Sequence, residues 1–96
     1  MLSRISVTEL KSKINSVNII DIRNVQSFNN NHIPGAINIP TEKLLISPSK
    51  YLTANKMYYI YCQKGISSSK VCQILNRMGY NTVNIIGGYE EWILQN

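Results

Sequence analysis

Acidic residues are scarce in this chain: five Asp and Glu stand against ten Lys and Arg, for a formal charge of +5. Such a surplus can mark a nucleic-acid binder. Here the basic residues are scattered singly from Arg4 to Arg77, so no nucleic-acid partner is expected and the charge reads as attraction for small anions. Histidine occurs once and cysteine twice, too few soft ligands to suggest a metal site. Two cysteines are also too few for a disulfide scaffold and point to a reducing, cytoplasmic compartment. No apolar run approaches the ~20 residues that span a bilayer, so no membrane partner is expected. The segment Met1 to Leu10 is amphipathic and contains Glu9, unlike a secretion signal. Repeats, linkers and Gly/Pro-rich tracts are absent, and residues 1–96 fit one domain.

What is present is a core-forming composition, 44% hydrophobic with fifteen isoleucines, arranged in two alternating periods. The runs Val17–Ile20, Ala36–Ile39, Met57–Tyr61 and Val83–Ile86 read as strands. Each is apolar on both faces at its middle, as in a sheet covered on both sides. Between them lie helical patterns. Ser6 and Glu9 form a capping-box signature ahead of Leu10 and Ile14. Val71, Ile74, Leu75 and Met78 make a stripe that ends at Gly79, and Tyr89, Trp92 and Ile93 make a short last one. Strand alternating with helix implies an α/β fold with a mostly parallel sheet. Ligands in such folds bind beyond the carboxyl ends of the strands, which singles out Asp21–Arg23, Pro40–Lys43, Cys62–Ser67 and Gly87-Gly88.

The segment Cys62-Gln63-Lys64-Gly65-Ile66-Ser67 joins the clearest central strand to the clearest helix. A tight loop entering a helix turns backbone N–H groups toward one point and makes an anion nest, reinforced by the positive helix end. Gly65 permits a backbone angle closed to other residues, and Ser67 offers an N-cap. A thiol at the mouth of such a nest is favoured as thiolate, the nucleophilic form, and Lys64 adds a positive charge for an anionic substrate. A buried structural cysteine is the alternative on the loop alone.

The loop resembles the active-site loop of the rhodanese family of sulfurtransferases, Cys-x-x-Gly-x-Ser/Thr. Asp21-Ile22-Arg23, Phe28 and His32-Ile33-Pro34-Gly35-Ala36-Ile37-Asn38-Ile39-Pro40 are similar to the family's first signature, and Gly87-Gly88-Tyr89-Glu90-Glu91-Trp92 to its closing one. The resemblance covers nearly the whole chain. It implies a rhodanese-like fold, a central five-stranded sheet with helices on both faces. It also implies an enzyme moving a sulfane sulfur from thiosulfate or a persulfide donor to a thiol or cyanide through a Cys62 persulfide, with no cofactor. The N–H groups of Gln63, Lys64, Gly65, Ile66 and Ser67 match the anion-holding loop. Three positions depart from the family: Ser27 where an acidic residue is frequent, Asn31 where Gly is frequent, and Ile66 where many members carry arginine. Lys64-Gly65-Ile66-Ser67 is similar to the Lys-Gly-Val-Thr of thiosulfate-using members, whereas mercaptopyruvate-using members typically have a small uncharged residue at the place of Lys64.

Other residues have plainer readings. Arg23 is a candidate for substrate binding and, with Asp21, for a tie between loops. His32 precedes a turn-forming segment and reads as its brace rather than a base. Cys72, Tyr58, Tyr59, Tyr61, Tyr89 and Trp92 read as packing. A phosphatase would need Cys-x5-Arg to hold phosphate, and Ser68 stands at that place. A protein sulfur relay and a non-catalytic binding module are the remaining alternatives, the second disfavoured by an intact loop that keeps its cysteine.

Overall fold

The β-branched runs pair into one five-stranded sheet in a computed structural model that describes residues 3–96. The first two residues of the expected 1–96 domain and of the Met1–Leu10 segment lie outside the described residues. The strands are β1 (Ser3–Ile5), β2 (Asn18–Asp21), β3 (Ile37–Asn38), β4 (Met57–Tyr61) and β5 (Asn81–Ile85). They lie in the order β1-β5-β4-β2-β3, and every pairing is parallel. The expected mostly parallel sheet is therefore wholly so.

Period-two alternation along β4 sends Tyr58, Ile60 and Cys62 to one face and Tyr59 and Tyr61 to the other, all buried. The first face is covered by α3 (Thr41–Ile46), α4 (Pro48–Tyr51) and α5 (Ile66–Arg77), through Leu44, Leu52, Val71, Cys72 and Leu75. The second is covered by α1 (Val7–Lys11) and α6 (Gly88–Leu94), through Val7, Leu10 and Tyr89. Both faces of the sheet are thus buried under helices, as expected for parallel strands. The capping box at Ser6 forms with both reciprocal bonds, but α1 ends at Lys11 rather than running on to Ile14.

Three further helices fall where the sequence carries no apolar stripe. One, α2 (Val25–Asn30), is started by the Asn24 side chain accepting from the Ser27 N–H and buries no residue. The others, α3 and α4, contribute one buried residue each. Among the described residues no helix is long and apolar enough to cross a membrane.

The topology fixes the ligand edge. From the adjacent strands β2 and β4, the chain departs through α2 toward β3 on one side and through α5 toward β5 on the other. A crevice opens at such a switch point beyond the carboxyl ends. Asp21 pairs with Tyr61 in register, so the residues that follow, Ile22-Arg23 and Cys62-Gln63, leave the sheet side by side.

Candidate active site

Cys62 follows the last residue of the central strand, and its sulfur fills the nest that its own loop makes. The N–H groups of Gly65 and Ser68 donate to Sγ at 3.1 and 3.3 Å. The loop can turn this tightly because Gly65 holds a left-handed backbone, φ +88°. It also puts Gly65, not Ser67, at the N-cap of α5, and no side chain caps that end. The expectation for Ser67 is corrected by this geometry: the turn closes two residues early, so Ser67 already lies in the helix. Ile66 and Ser67 open α5, where N–H groups have no partner within the helix.

The loop is clamped from outside by the first turn of α6. The N–H groups of Tyr89 and Glu90 donate to the carbonyls of Cys62 and Gln63, at 2.9 and 3.0 Å. This approach is possible only for glycine at position 88. A Cβ there would stand 2.3 Å from the Cys62 carbonyl oxygen and 2.8 Å from the Gly65 nitrogen.

A cleft of about 660 Å³ opens over Cys62. Gln63, Lys64, Ile66 and Ser67 line it together with Ile22, Arg23, Asn24, Ser27 and Thr41. The four loop residues are exposed, while Cys62 and Gly65 are buried. Every residue singled out in the loop is therefore at this site, Gly65 as its hinge rather than its lining.

Arg23 is present but occupied. Its guanidinium bonds both oxygens of the buried Asp21 at 2.8–3.1 Å. It also donates to the Asn31 carbonyl at 2.7 Å and to Gln63 Oε1 at 3.2 Å, and lies 4.2 Å from the centre of the Tyr89 ring. Burial alone would lower its pKa, but the Asp21 carboxylate outweighs burial and leaves it raised. This is the loop tie considered for the Asp21–Arg23 pair, and the same residue forms part of the cleft wall.

His32 stacks on Phe28 at 3.8 Å and its Nδ1 lies 2.9 Å from the Phe28 carbonyl, outside the cleft lining. Cys72 is wholly buried on the core side of α5, where burial pushes its thiol up to about 11.

Two residues at the sulfur escaped the sequence reading. Ser68 Oγ lies 3.3 Å from Cys62 Sγ, and the Ser68 hydroxyl donates to Asn84 Oδ1 at 2.5 Å. Both are buried. The available signal was an asparagine inside the apolar run Val83–Ile86, since a buried amide is costly unless bonded.

A family model for the rhodanese-like domain matches residues 6–95. The chain is 36% identical over 89 residues to a thiosulfate sulfurtransferase, GlpE, of Shewanella oneidensis, covering 92% of this chain and 83% of that protein. It is 29% identical to the uncharacterized protein YqhL of Bacillus subtilis, covering 96% and 73%. Among solved structures it is similar to SSP1007 of Staphylococcus saprophyticus, with a TM-score of 0.87 at 40% identity over 95% of this chain and 93% of that one. A rhodanese-like domain protein of Staphylococcus aureus superposes with a TM-score of 0.87 at 32% identity, covering 95% and 91%.

Proposed function

The chain belongs to the rhodanese-like domain family, and on that premise we propose that it is a sulfurtransferase working through a persulfide on Cys62. The observation that carries this reading is a cysteine sulfur held by two N–H donors at the floor of a cleft with a lysine at its mouth. The Cys62 thiolate attacks the outer sulfur of thiosulfate, or of a persulfide donor. A bond forms between Sγ and that sulfur, the donor's sulfur–sulfur bond breaks, and its electron pair leaves with sulfite or a thiolate. A thiolate or cyanide acceptor then attacks the outer sulfur and returns the electron pair to Sγ.

Each loop residue has a part in this cycle. The N–H groups of Gly65 and Ser68 hold the attacking sulfur, and those opening α5 at Ile66 and Ser67 face the anion that arrives and departs. Lys64 draws the anionic donor to the cleft. Gln63, fixed by Arg23, forms the wall between the loop and the segment after β2. Arg23 acts chiefly by holding that wall, with Asp21 absorbing most of its charge.

Intact-mass measurement after incubation with thiosulfate tests the proposal. Wild type gains the mass of one sulfur atom, removable by cyanide or dithiothreitol, and Cys62→Ser gains none. Full loading of Cys62→Ser would falsify the assignment of the nucleophile.

A further inference from the structure

A buried polar chain runs behind the sulfur, away from the cleft. Asn84 sits in β5 on the face that carries Ile60 and α5, and its Nδ2 donates to the Gly65 carbonyl at 3.3 Å. A carbonyl only accepts, so this contact fixes the amide orientation and leaves Oδ1 facing Ser68. There it accepts the Ser68 hydroxyl proton, and the free lone pairs of Ser68 Oγ face Cys62 Sγ at 3.3 Å. The chain is complete for a neutral thiol: S–H to Ser68, O–H to Asn84, N–H to Gly65. For a negatively charged sulfur it is wrong by one proton, because an oxygen lone pair then faces a thiolate or persulfide.

A serine hydroxyl has one proton and rotates freely. We propose that Ser68 is a two-way partner of the reacting sulfur, with Asn84 as its positioning residue. Ser68 accepts from the resting thiol. When the thiol proton has left to water through the cleft, its hydroxyl turns from Asn84 to donate to Sγ, beside the N–H groups of Gly65 and Ser68. Ser68 keeps its own proton throughout. Asn84 competes with the charged sulfur for that proton, and so sets how readily the thiolate forms. The inference rests on the persulfide reading of Cys62.

The ionisable groups on the elements around Cys62 are Lys64 in its loop, Asp21 at the end of β2 and Arg23 beyond it, Glu42 and Lys43 on α3, Lys50 and Tyr51 on α4, Tyr58, Tyr59 and Tyr61 on β4, Lys70, Cys72 and Arg77 on α5, and Tyr89, Glu90 and Glu91 on α6. All stay unchanged in the test variants. The experiment follows the rate of Cys62 alkylation by iodoacetamide against pH in the full chain, with the modified peptide identified by mass spectrometry. It compares wild type, Ser68→Ala, Asn84→Leu and the double variant.

Ser68→Ala is expected to raise the midpoint by about one pH unit, a tenfold slower reaction below it, as for one charge-assisted bond net of its competitor. Asn84→Leu lowers the midpoint by a similar amount, since the hydroxyl has lost its rival acceptor. The double variant matches Ser68→Ala. Unmoved midpoints in both single variants, or a double variant displaced by the sum of the two, overturn the proposal. If Asn84→Leu does not fold, Asn84→Asp takes its place. Its carboxylate holds the hydroxyl more firmly and raises the midpoint, and an unmoved or lowered midpoint overturns the idea. Sulfur loading from thiosulfate is measured on the same samples. Wild type that fails to load refutes the sulfurtransferase reading, whereas loading with unmoved midpoints refutes only the role of Ser68.

Discussion

Replacing Gly88 by alanine isolates what the clamp over the Cys62 loop contributes. Gly88 has φ +60°, and a methyl there would lie 2.3, 2.8 and 2.9 Å from the Cys62 oxygen, the Gly65 nitrogen and the Gln63 oxygen. All three are backbone atoms, so no side chain can swing aside. The left-handed conformation costs an alanine about 1–2 kcal/mol. Relieving the overlap also separates Tyr89 and Glu90 from the Cys62 and Gln63 carbonyls, at about 1 kcal/mol for each hydrogen bond. The sum is about 3–4 kcal/mol. Gly35→Ala is the internal control. It meets the same backbone penalty at φ +86° but has no atom within 4 Å of the added methyl, so it should cost about 1–2 kcal/mol. Urea denaturation compares the two: the midpoint of Gly88→Ala should fall about 1–2 M below that of Gly35→Ala, given the slope usual for small proteins. Sulfur loading should drop at least about tenfold in Gly88→Ala alone, because only that change displaces the nest. Equal midpoints and equal loading in the two variants would refute the clamp.

Three other outcomes are expected. Lys64→Ala should lower kcat/KM for thiosulfate and flatten its dependence on salt; identical values for both proteins at low and high ionic strength would mean that Lys64 only meets solvent. Arg23→Met should destabilise the fold by about 3 kcal/mol in urea, because it leaves the Asp21 carboxylate buried without its partner; a loss below about 1 kcal/mol would contradict the tie. For Cys72, burial pushes the folded thiol up to about 11 from an ordinary 9.0. The unfolded chain thus releases its proton first, and stability falls as pH rises from about 9 to about 11, by up to about 2–3 kcal/mol. Cys72→Ala lacks this decline, so its stability gap from wild type should narrow across that window, and a constant gap would contradict the burial argument.

The parts of the fold legible in the sequence are those whose burial is written in a run of residues. Met57–Tyr61 is apolar on both faces and forms the central strand with those bounds, and the stripe through Val71 and Leu75 forms the core face of α5. The Cys62 loop was legible because a nucleophile, a glycine and a helix start coincide between them. The rest depended on partners distant in sequence. Ser3–Ile5 is too short to show a period, and becomes a strand only by pairing with Val83–Ile85. Val25–Asn30 has no buried face to leave a pattern. Ser68 reads as one of three consecutive serines until β5 brings Asn84 to it from 16 residues away. Ser67 failed as a cap because Gly65 turns the chain first.

The clamp on the Cys62 loop has a consequence for folding order. The residues that complete the nest come from opposite ends of the chain: Asp21 and Arg23 early, Cys62 to Ser68 in the middle, and Asn84 to Glu90 late. Contacts so distant in sequence form late and together. Until β5 and the first turn of α6 dock, the loop that aims the Gly65 and Ser68 N–H groups at Cys62 lacks its clamp, so partly folded chains should lack the proposed sulfur site. If Cys62 takes up sulfur as proposed, uptake should count native molecules, and hydrogen exchange at the Gly65 and Ser68 amides should track global unfolding rather than local fraying.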